Sequence, residues 1–267
     1  MELILWAFLP FLPAFIVFPF YKNVMKSGRT ALSIWQQAIL LIYQINLYLL
    51  FVEGFFFVLI PVLIAGLFAP NKRSFFHAQG SFWAKIFLRA IGVKVSVEGE
   101  ENIPPGPAIY VQDVRSYLDG AATLAYLPFA FRFVFQRHLF GVTFFGWLER
   151  LAGYLALEPD ALDLMHDDVV RILKTLGRKE NIVAFAEQGN VHGGVALFSI
   201  HSKLPVVTIR IKHDLSSPPV SAFLARPLPV SIRLSIGQPI TSGKYSGDKT
   251  SLQMLSQDIS RGLNPTK

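Results

Sequence analysis

The stretch YVQDVRSYLDG, residues 110–120, decides the fold, because an apolar strand-like run ends here in a polar turn and a helix-like run follows. The helix is predicted to begin near Ser116. Loops at strand ends often carry the functional groups of α/β enzymes, since the strands and helices behind them form a rigid scaffold. The loop is therefore the first place to look for chemistry, although Asp113, Val114 and Arg115 include no obvious base and nucleophile pair.

Strand-like and helix-like runs alternate on both sides of this loop, from residue 75 to the end of the chain. The strand-like runs are VKVSVEG, AIYVQ, FRFVF, YLAL, NIVAFA, VVTIRI and VSIRLSIG. This alternation predicts an α/β fold with a mainly parallel sheet flanked by helices. Ligands bind such sheets at the carboxyl ends of the strands, so residues 112–119 and 186–194 are predicted to form the site.

The composition separates the chain into two parts. Of its 267 residues, 52% are hydrophobic and only 16% are charged, whereas soluble domains carry about 25% charged residues. Residues 1–70 hold most of the apolar excess. We therefore expect residues 1–70 to be hydrophobic membrane-anchoring segments and residues 71–267 to form the α/β domain.

Two apolar stretches make up the predicted anchor. Residues 3–20 are long enough to span a bilayer, and they do not match a signal peptide, because Glu2 leads and no small-residue cleavage site follows. Residues 38–69 are interrupted by Glu53 and the glycine after it. One long tilted helix would bury this carboxylate in hydrocarbon, so a hairpin of two short segments is favoured. The positive-inside rule then predicts that the α/β domain lies on the cytoplasmic face.

Charge and cysteine content restrict the partners. The net charge of +7 points to anionic partners such as phosphates, acidic lipid headgroups or nucleotide-bearing carriers. No run of five basic residues and no RNA-binding aromatic signature is present, so no nucleic-acid partner is expected. The absence of cysteine excludes a disulfide framework, a thiolate zinc site and a cysteine nucleophile. No other metal-ligand spacing rises above chance, so no metal site is predicted.

Several stretches together resemble one family. VEGEENIPPGPAIYV, RSYLDG, FGWLERLAGYLAL, FAEQG and KLPVVTI are similar to successive motifs of the glycerolipid (lysophospholipid) acyltransferases, which include the 1-acylglycerol-3-phosphate acyltransferases. The similarity runs from about residue 79 to the end. It implies the glycerol-phosphate acyltransferase-like fold at a membrane and the transfer of an acyl chain to a lysophospholipid-like acceptor in phospholipid metabolism. Acyl-CoA or acyl-carrier protein would be the co-substrate, membrane lipids would be partners, and no cofactor would be tightly bound.

The resemblance also assigns site residues. In the family motif N-H-x-S-x-x-D, the histidine takes the proton from the acceptor hydroxyl and the aspartate orients its imidazole. Asp119 matches that aspartate, but Val114 stands at the position of the histidine. The later motif F-P-E-G-T-R keeps Glu187, whereas its phosphate-binding arginine falls on Asn190. The implied site thus has Asp119 and Glu187 as catalytic residues and, around the substrate, Asp113, Val114, Arg115, Ser116, Gln188, Gly189 and Asn190.

Three side chains are candidates for the missing base. His192 lies on the second predicted catalytic loop and is included among the catalytic residues, and His201 lies in the helix-like run after it. Asp113 is next to the vacant position, although a solvated turn or cap aspartate is the favoured interpretation there. Ser116 is interpreted as a helix cap rather than a nucleophile, because it stands three residues before Asp119.

A further acidic group is interpreted as structural. His166 and the two aspartates after it are predicted to lie within an amphipathic helix, on its solvated face, rather than to bind metal.

Two functions then remain open. The chain is an acyltransferase with a rearranged site, or it is a catalytically silent relative that binds lipid or acyl chains or supports a partner enzyme. The two are distinguished by whether any imidazole lies within hydrogen-bond reach of Asp119.

Overall fold

The computed structural model describes residues 60–90, 93–113, 116–137, 150–157, 166–186, 193–213, 231–245 and 248–263, together with Trp35 and Ile42. The chain divides into two compact units. One comprises Asn71–Ser217 and Pro229–Lys267, and the other comprises Met1–Pro70 and Pro218–Leu228. The first unit contains all the strands and helices that are labelled below. In the second unit, residues 60–68 are helical.

Helices and strands alternate along the first unit as the sequence predicts. The helices are α1 (Lys72–Ala90), α2 (Tyr117–Tyr126), α3 (Asp167–Gly177), α4 (Gly193–Ser202) and α5 (Lys249–Leu263). The strands are β1 (Lys94–Glu98), β2 (Ile109–Asp113), β3 (Phe131–Gln136), β4 (Leu155–Leu157), β5 (Asn181–Ala186), β6 (Val206–His213) and β7 (Ser231–Ile236). Short 3₁₀ turns occupy Glu100–Asn102 and Ser242–Lys244.

The strands form one sheet in the order β1-β7-β6-β2-β5-β3-β4. Strands β2 to β6 are parallel to one another. Strand β7 pairs antiparallel with β6 and parallel with β1. The mainly parallel sheet is therefore confirmed. Because β2, β5 and β6 are parallel neighbours, their carboxyl ends meet at one edge of the sheet, which we call the carboxyl edge. Their first residues meet at the opposite edge, which we call the amino edge.

Each face of the sheet is covered by helices. Residues Ile109 and Val111 of β2 point to the face on which α3, α4 and α5 pack, where Ile172, Phe198 and Leu255 are fully buried. The alternate residues of β2 point to the other face, on which α1 and α2 pack against each other. Both faces of β2 are buried, so its first three residues form a continuous apolar run instead of alternating with polar ones.

The predicted membrane anchor falls almost entirely outside the described residues. Of residues 1–70, the structure describes only residues 60–70, Trp35 and Ile42. Within the described part of the chain, no helix is both long and apolar enough to cross a bilayer. The anchor in residues 1–70, the hairpin near Glu53 and the cytoplasmic placement of the α/β domain stay predictions.

Candidate active site

Asp119 is fixed at the start of α2, directly beyond the end of β2. Ser116 is the N-cap residue of this helix and has extended backbone angles, which confirms its interpretation as a cap. The Ser116 N–H donates to Asp119 Oδ2 over 3.0 Å, and the Ser116 hydroxyl donates to Asp119 Oδ1 over 2.9 Å. The carboxylate is completely buried. Two donors thus hold its oxygens in place and satisfy an N–H group that the helix itself leaves unpaired.

An imidazole lies against this carboxylate. His213 Nε2 is 2.9 Å from Asp119 Oδ1, and the two side chains are 10% and 0% exposed. An imidazole within hydrogen-bond reach of Asp119 is the feature that distinguishes an enzyme from a silent relative. His213 supplies it, although this residue is not among the candidates predicted from the sequence. Asp119 and His213 together form what we call the acid–imidazole pair.

Strand geometry brings His213 to this position. β2 ends at Asp113, whereas β6 pairs with it only up to Ile209 and then continues along β7 to His213. Gln112 and Ile209 are register partners, so they share the face that α2 covers. Alternate residues of a strand point to the same face, which places His213 on the α2 face as well. The overhang of β6 carries it past the end of β2 to the first turn of α2.

The contact within the acid–imidazole pair is close but not aligned as a hydrogen bond. His213 Nε2 is buried and has no well-oriented hydrogen-bond partner among the described residues, despite its short distance to Asp119. Catalytic hydrogen bonds are often poorly aligned in the absence of substrate and tighten when substrate binds.

A buried polar group supports Asp119 from within the sheet. The Thr123 hydroxyl lies 2.6 Å from Gln112 Oε1 and 2.8 Å from the main-chain oxygen of Asp119. One hydroxyl proton cannot serve both acceptors at once. With the Gln112 amide turned over, Nε2 donates to Thr123 and Thr123 donates to Asp119. In either orientation this contact ties the first turn of α2 to the end of β2.

The other described candidates for the base lie elsewhere. Asp113 is the buried last residue of β2, not a solvated turn or cap aspartate, and strand alternation points it to the face opposite His213. His201 is exposed at the last turn of α4, which starts beyond the carboxyl edge and runs back to the start of β6. It therefore lies near the amino edge, and its candidacy as a base for Asp119 is wrong.

The interpretation of His166 and its two neighbours as a solvated face within a helix holds for Asp167, which is exposed on α3, but it is wrong for His166 and Asp168. His166 caps the N-terminus of α3, and its ring nitrogen accepts from the main-chain N–H of Asp168. Asp168 is only 1% exposed and pairs with Arg137, which follows β3. The acidic residue sits near the positive end of the helix dipole, where it is stabilised. Its burial is the tertiary feature that the amphipathic pattern did not show.

Part of the predicted site falls outside the described residues. This applies to His192, and to the predicted substrate-binding and catalytic residues Val114, Arg115, Glu187, Gln188, Gly189 and Asn190. The structure does describe the strand ends that carry them. The last residue of β5, Ala186, is the register partner of Asp113, so the two predicted loops leave the sheet from adjacent positions. The roles of these residues stay predictions.

A second buried histidine differs from His213 in its surroundings. His77 on α1 packs edge-to-face on Phe131, the first residue of β3, and its Nδ1 lies 3.2 Å from the Tyr154 hydroxyl. Burial, and then the charge of Arg132, lower the pKa of His77 to about 4. This imidazole is neutral at physiological pH and lies at the amino edge, away from Asp119.

A signal for His213 was present in the sequence, although the strand prediction ended two residues too early. The apolar pattern predicts a strand over VVTIRI, whereas β6 continues through Lys212 to His213. Val207, Ile209, Ile211 and His213 alternate on one face. A histidine that continues an inward-facing apolar series at the carboxyl end of a parallel strand is a reasonable candidate for a site residue.

Residues 94–212, which run from the start of β1 almost to the end of β6, match the family model described as Acyltransferase. This stretch is an acyltransferase-family domain. The fold is similar to the crystal structure of the 1-acyl-sn-glycerophosphate acyltransferase PlsC from Thermotoga maritima. The TM-score is 0.57 and the identity 16%, over 85% of this chain and 94% of that chain. No curated protein matches the sequence.

These comparisons confirm the family resemblance and the α/β fold. At 16% identity the structural similarity supports the fold alone, so the residues of the site have to be argued from their own geometry. His213 lies one residue beyond the matched stretch of the acyltransferase-family domain. The acid–imidazole pair therefore joins a residue inside that stretch to one outside it.

Proposed function

We propose that this chain transfers an acyl group from a thioester donor to the hydroxyl of a lysophospholipid-like acceptor, using the acid–imidazole pair as its base. One observation carries the proposal: His213 Nε2 lies 2.9 Å from Asp119 Oδ1 at the carboxyl edge of a parallel sheet. Val114, at the position of the motif's histidine, cannot accept a proton, whereas the imidazole of His213 lies against the motif aspartate.

The pair can carry out both proton transfers of the reaction. With Nε2 directed at Asp119, Nδ1 of His213 takes the proton from the acceptor hydroxyl. The hydroxyl oxygen attacks the thioester carbonyl carbon, and the resulting tetrahedral intermediate collapses as its carbon–sulfur bond breaks. The imidazolium returns its proton to the leaving thiolate, so an ester and a free thiol are formed. Throughout, the Asp119 carboxylate holds the ring and stabilises the imidazolium.

The cellular setting follows from the sequence and the family. Acyl-CoA or acyl-carrier protein is the donor that the family resemblance implies, and phospholipid biosynthesis is the implied process. The apolar residues 1–70 would hold the protein on membrane lipids, with the acyltransferase-family domain on the cytoplasmic face. Such an anchor would present a membrane-dissolved acceptor to an enzyme whose donor is water-soluble.

A pair of histidine variants tests the proposed function. The full chain in detergent micelles is supplied with an acyl-CoA and lysophosphatidic acid, and CoA release is followed with a thiol-reactive dye. The dye reacts with CoA alone, because the chain has no cysteine. We expect His213→Gln to lower acceptor-dependent turnover on the order of 10²–10⁴-fold, which is typical for the loss of a general base. His201→Gln, an exposed histidine at the opposite edge, serves as the matched control and should retain turnover.

Two outcomes would contradict the proposal. If His213→Gln retained the turnover of the unaltered protein, the base would lie elsewhere, and His192→Gln would be the next variant to measure. If the unaltered protein released no CoA with any acceptor offered, the alternative of a catalytically silent lipid- or acyl-binding relative would be supported.

A further inference from the structure

A strongly basic cleft lies at the amino edge of the sheet, beside the starts of β3, β4 and β5. Its volume is about 400 Å³. Among the described residues, its charged lining side chains are six basic groups and one carboxylate: Arg73, Arg132, Arg150, Arg171, Lys174, Arg178 and Glu180. A volume of this size falls within the range of small-molecule pockets, about 300–1,000 Å³.

The basic residues converge from separate elements. Arg73 comes from the first turn of α1, Arg132 from β3, and Arg150 from the segment before β4. Arg171 and Lys174 lie one turn apart on α3. Because these positions are distant in the sequence, only the tertiary structure gathers them around one cavity.

One of these arginines has a structural role. Arg132 is 8% exposed, and its guanidinium donates to Glu180 over 2.7 Å and to the main-chain oxygen of Ala152 over 2.6 Å. The only carboxylate among the described lining residues is thus already paired with the most buried cation. No second carboxylate occurs among the described residues that line the cavity.

The backbone makes room for another arginine. Gly153, just before β4, has a φ of +72°, and a Cβ atom built there would lie 2.8 Å from Arg73 Cδ. Glycine takes this conformation without strain, and the lack of a side chain lets Arg73 lie across it. Arg73 therefore lies over Gly153, at the lining of the cleft.

The macrodipole of α3 does not account for this charge. Lys174 and Arg178 lie at the C-terminus of α3, where cations complement the dipole. Arg73 and Arg150 belong to other elements, so this complementarity does not explain why they converge on the same cavity. Like charges that converge on one cavity repel each other unless an anion offsets them. The cost of gathering them suggests a ligand that carries several negative charges.

We propose that this cleft binds an anion with at least two phosphate groups. Guanidinium groups bind phosphate oxygens in bidentate fashion, and several of them around one cavity match more than one phosphate. The cleft is separate from the acyl-transfer site. It lies at the amino edge and the acid–imidazole pair lies at the carboxyl edge, so the six residues of β5 separate them by roughly 20 Å. The phosphates belong either to a soluble molecule or to a lipid headgroup.

Binding of pyrophosphate to the full chain in detergent micelles tests the proposal. We expect saturable binding by titration calorimetry, weakened at least tenfold in the double variant Arg171→Gln/Lys174→Gln, whose side chains are both exposed. The matched control is Arg233→Gln/Lys249→Gln, which removes one exposed arginine and one exposed lysine from β7 and α5. The control should change the affinity less than twofold.

A second arm of the experiment distinguishes the two sources of phosphate. Micelles that contain a short-chain phosphatidylinositol phosphate are compared with micelles that contain the matching diacylglycerol. Competition of the phosphorylated lipid with pyrophosphate would identify a lipid headgroup, and the absence of competition would identify a soluble phosphate. Equal weakening by both double variants would overturn the proposal, since it would show attraction by net charge alone. So would the absence of pyrophosphate binding to the unaltered protein.

The result is independent of the proposed function. Turnover is measured at the carboxyl edge through His213, whereas binding is measured at the amino edge through Arg171 and Lys174. A protein without acyltransferase activity can still bind pyrophosphate in the cleft, and an active enzyme can fail to bind it. Each of the two proposals can therefore fail alone.

Discussion

His213 and His77 are both largely buried on the same face of the sheet, but they lie at opposite edges and have neighbours of opposite charge. His213 touches the buried carboxylate of Asp119. His77 lies among aromatic rings, beside the Tyr154 hydroxyl and near the positive charge of Arg132. A carboxylate stabilises an imidazolium, whereas burial and a guanidinium oppose it.

The difference bears on which imidazole we propose as the base. Both residues are imidazoles within reach of a polar partner, so residue type and burial alone do not distinguish them. The sign of the neighbouring charge does: the Asp119 carboxylate lies beside His213, whereas the guanidinium of Arg132 acts on His77. His77 is instead held neutral and serves packing.

The carboxylate of the acid–imidazole pair should matter as much as the imidazole. Asp119→Asn keeps the shape of the side chain but removes the charge that stabilises the imidazolium, so we expect acceptor-dependent CoA release to fall on the order of 10²–10⁴-fold. Asp258→Asn removes a carboxylate that pairs with Tyr245 and Arg261 on the distant α5 surface, and it should retain turnover. If both variants kept full activity, the contrast between His213 and His77 would have no catalytic meaning.

The support beneath Asp119 should contribute to stability. Thr123→Val preserves the shape of the side chain but leaves the buried Gln112 amide and the Asp119 main-chain oxygen without the hydroxyl. We expect a loss of about 2–3 kcal/mol in the free energy of unfolding, the usual cost of leaving buried polar groups unpaired. Thr123→Ser, which keeps the hydroxyl, should recover most of it. Equal stability of the Val and Ser variants, measured by urea unfolding in the same detergent, would show that this contact does not support the site.

His77 should make the protein less stable in acid. Its pKa is lowered from the ordinary value of about 6.5 to about 4 by burial and Arg132. Below pH 6.5 the unfolded chain therefore binds a proton at this residue that the folded protein does not bind. Stability consequently falls as the pH decreases from 6.5 to 4, by about 2 kcal/mol between pH 7 and pH 5.

The variant His77→Gln isolates this effect. Its free energy of unfolding should fall less between pH 7 and pH 5 than that of the unaltered protein, by the same amount of about 2 kcal/mol. His201→Gln, which removes an exposed histidine, should keep the full pH dependence. An unchanged pH dependence in His77→Gln would mean that the residue is not held neutral in the fold.

The fold was largely predictable because its signals are local. NIVAFA and AIYVQ are apolar runs of strand length between turn signals, and the structure has β5 and β2 at these positions. Ser116 and Asp119 were predicted to form a helix cap from their spacing, and they do so. Asp168 was misjudged because its partner, Arg137, comes from beyond the end of β3, which helical periodicity does not report.

The site was predictable only in part, because half of the acid–imidazole pair depends on contacts between distant strands. The family resemblance implied Asp119 as a site residue and placed Val114, which cannot accept a proton, at the position of the motif's histidine. No local pattern connected Asp119 to His213. Their contact requires that β6 lie beside β2 and extend past its end along β7, which is a matter of sheet order and register.

The sequence by itself determined the alternation of strands and helices, the buried parallel sheet, the cap at Ser116 and the family, since these follow from the order and spacing of neighbouring residues. Only the tertiary structure decided which imidazole faces Asp119 and that arginines from α1, β3 and α3 surround one cleft. The physical reason is the same in both cases. Electrostatic and hydrogen-bonding contacts act over a few ångströms in space, and a sheet whose neighbouring strands are not consecutive in the chain brings together side chains that the sequence holds far apart.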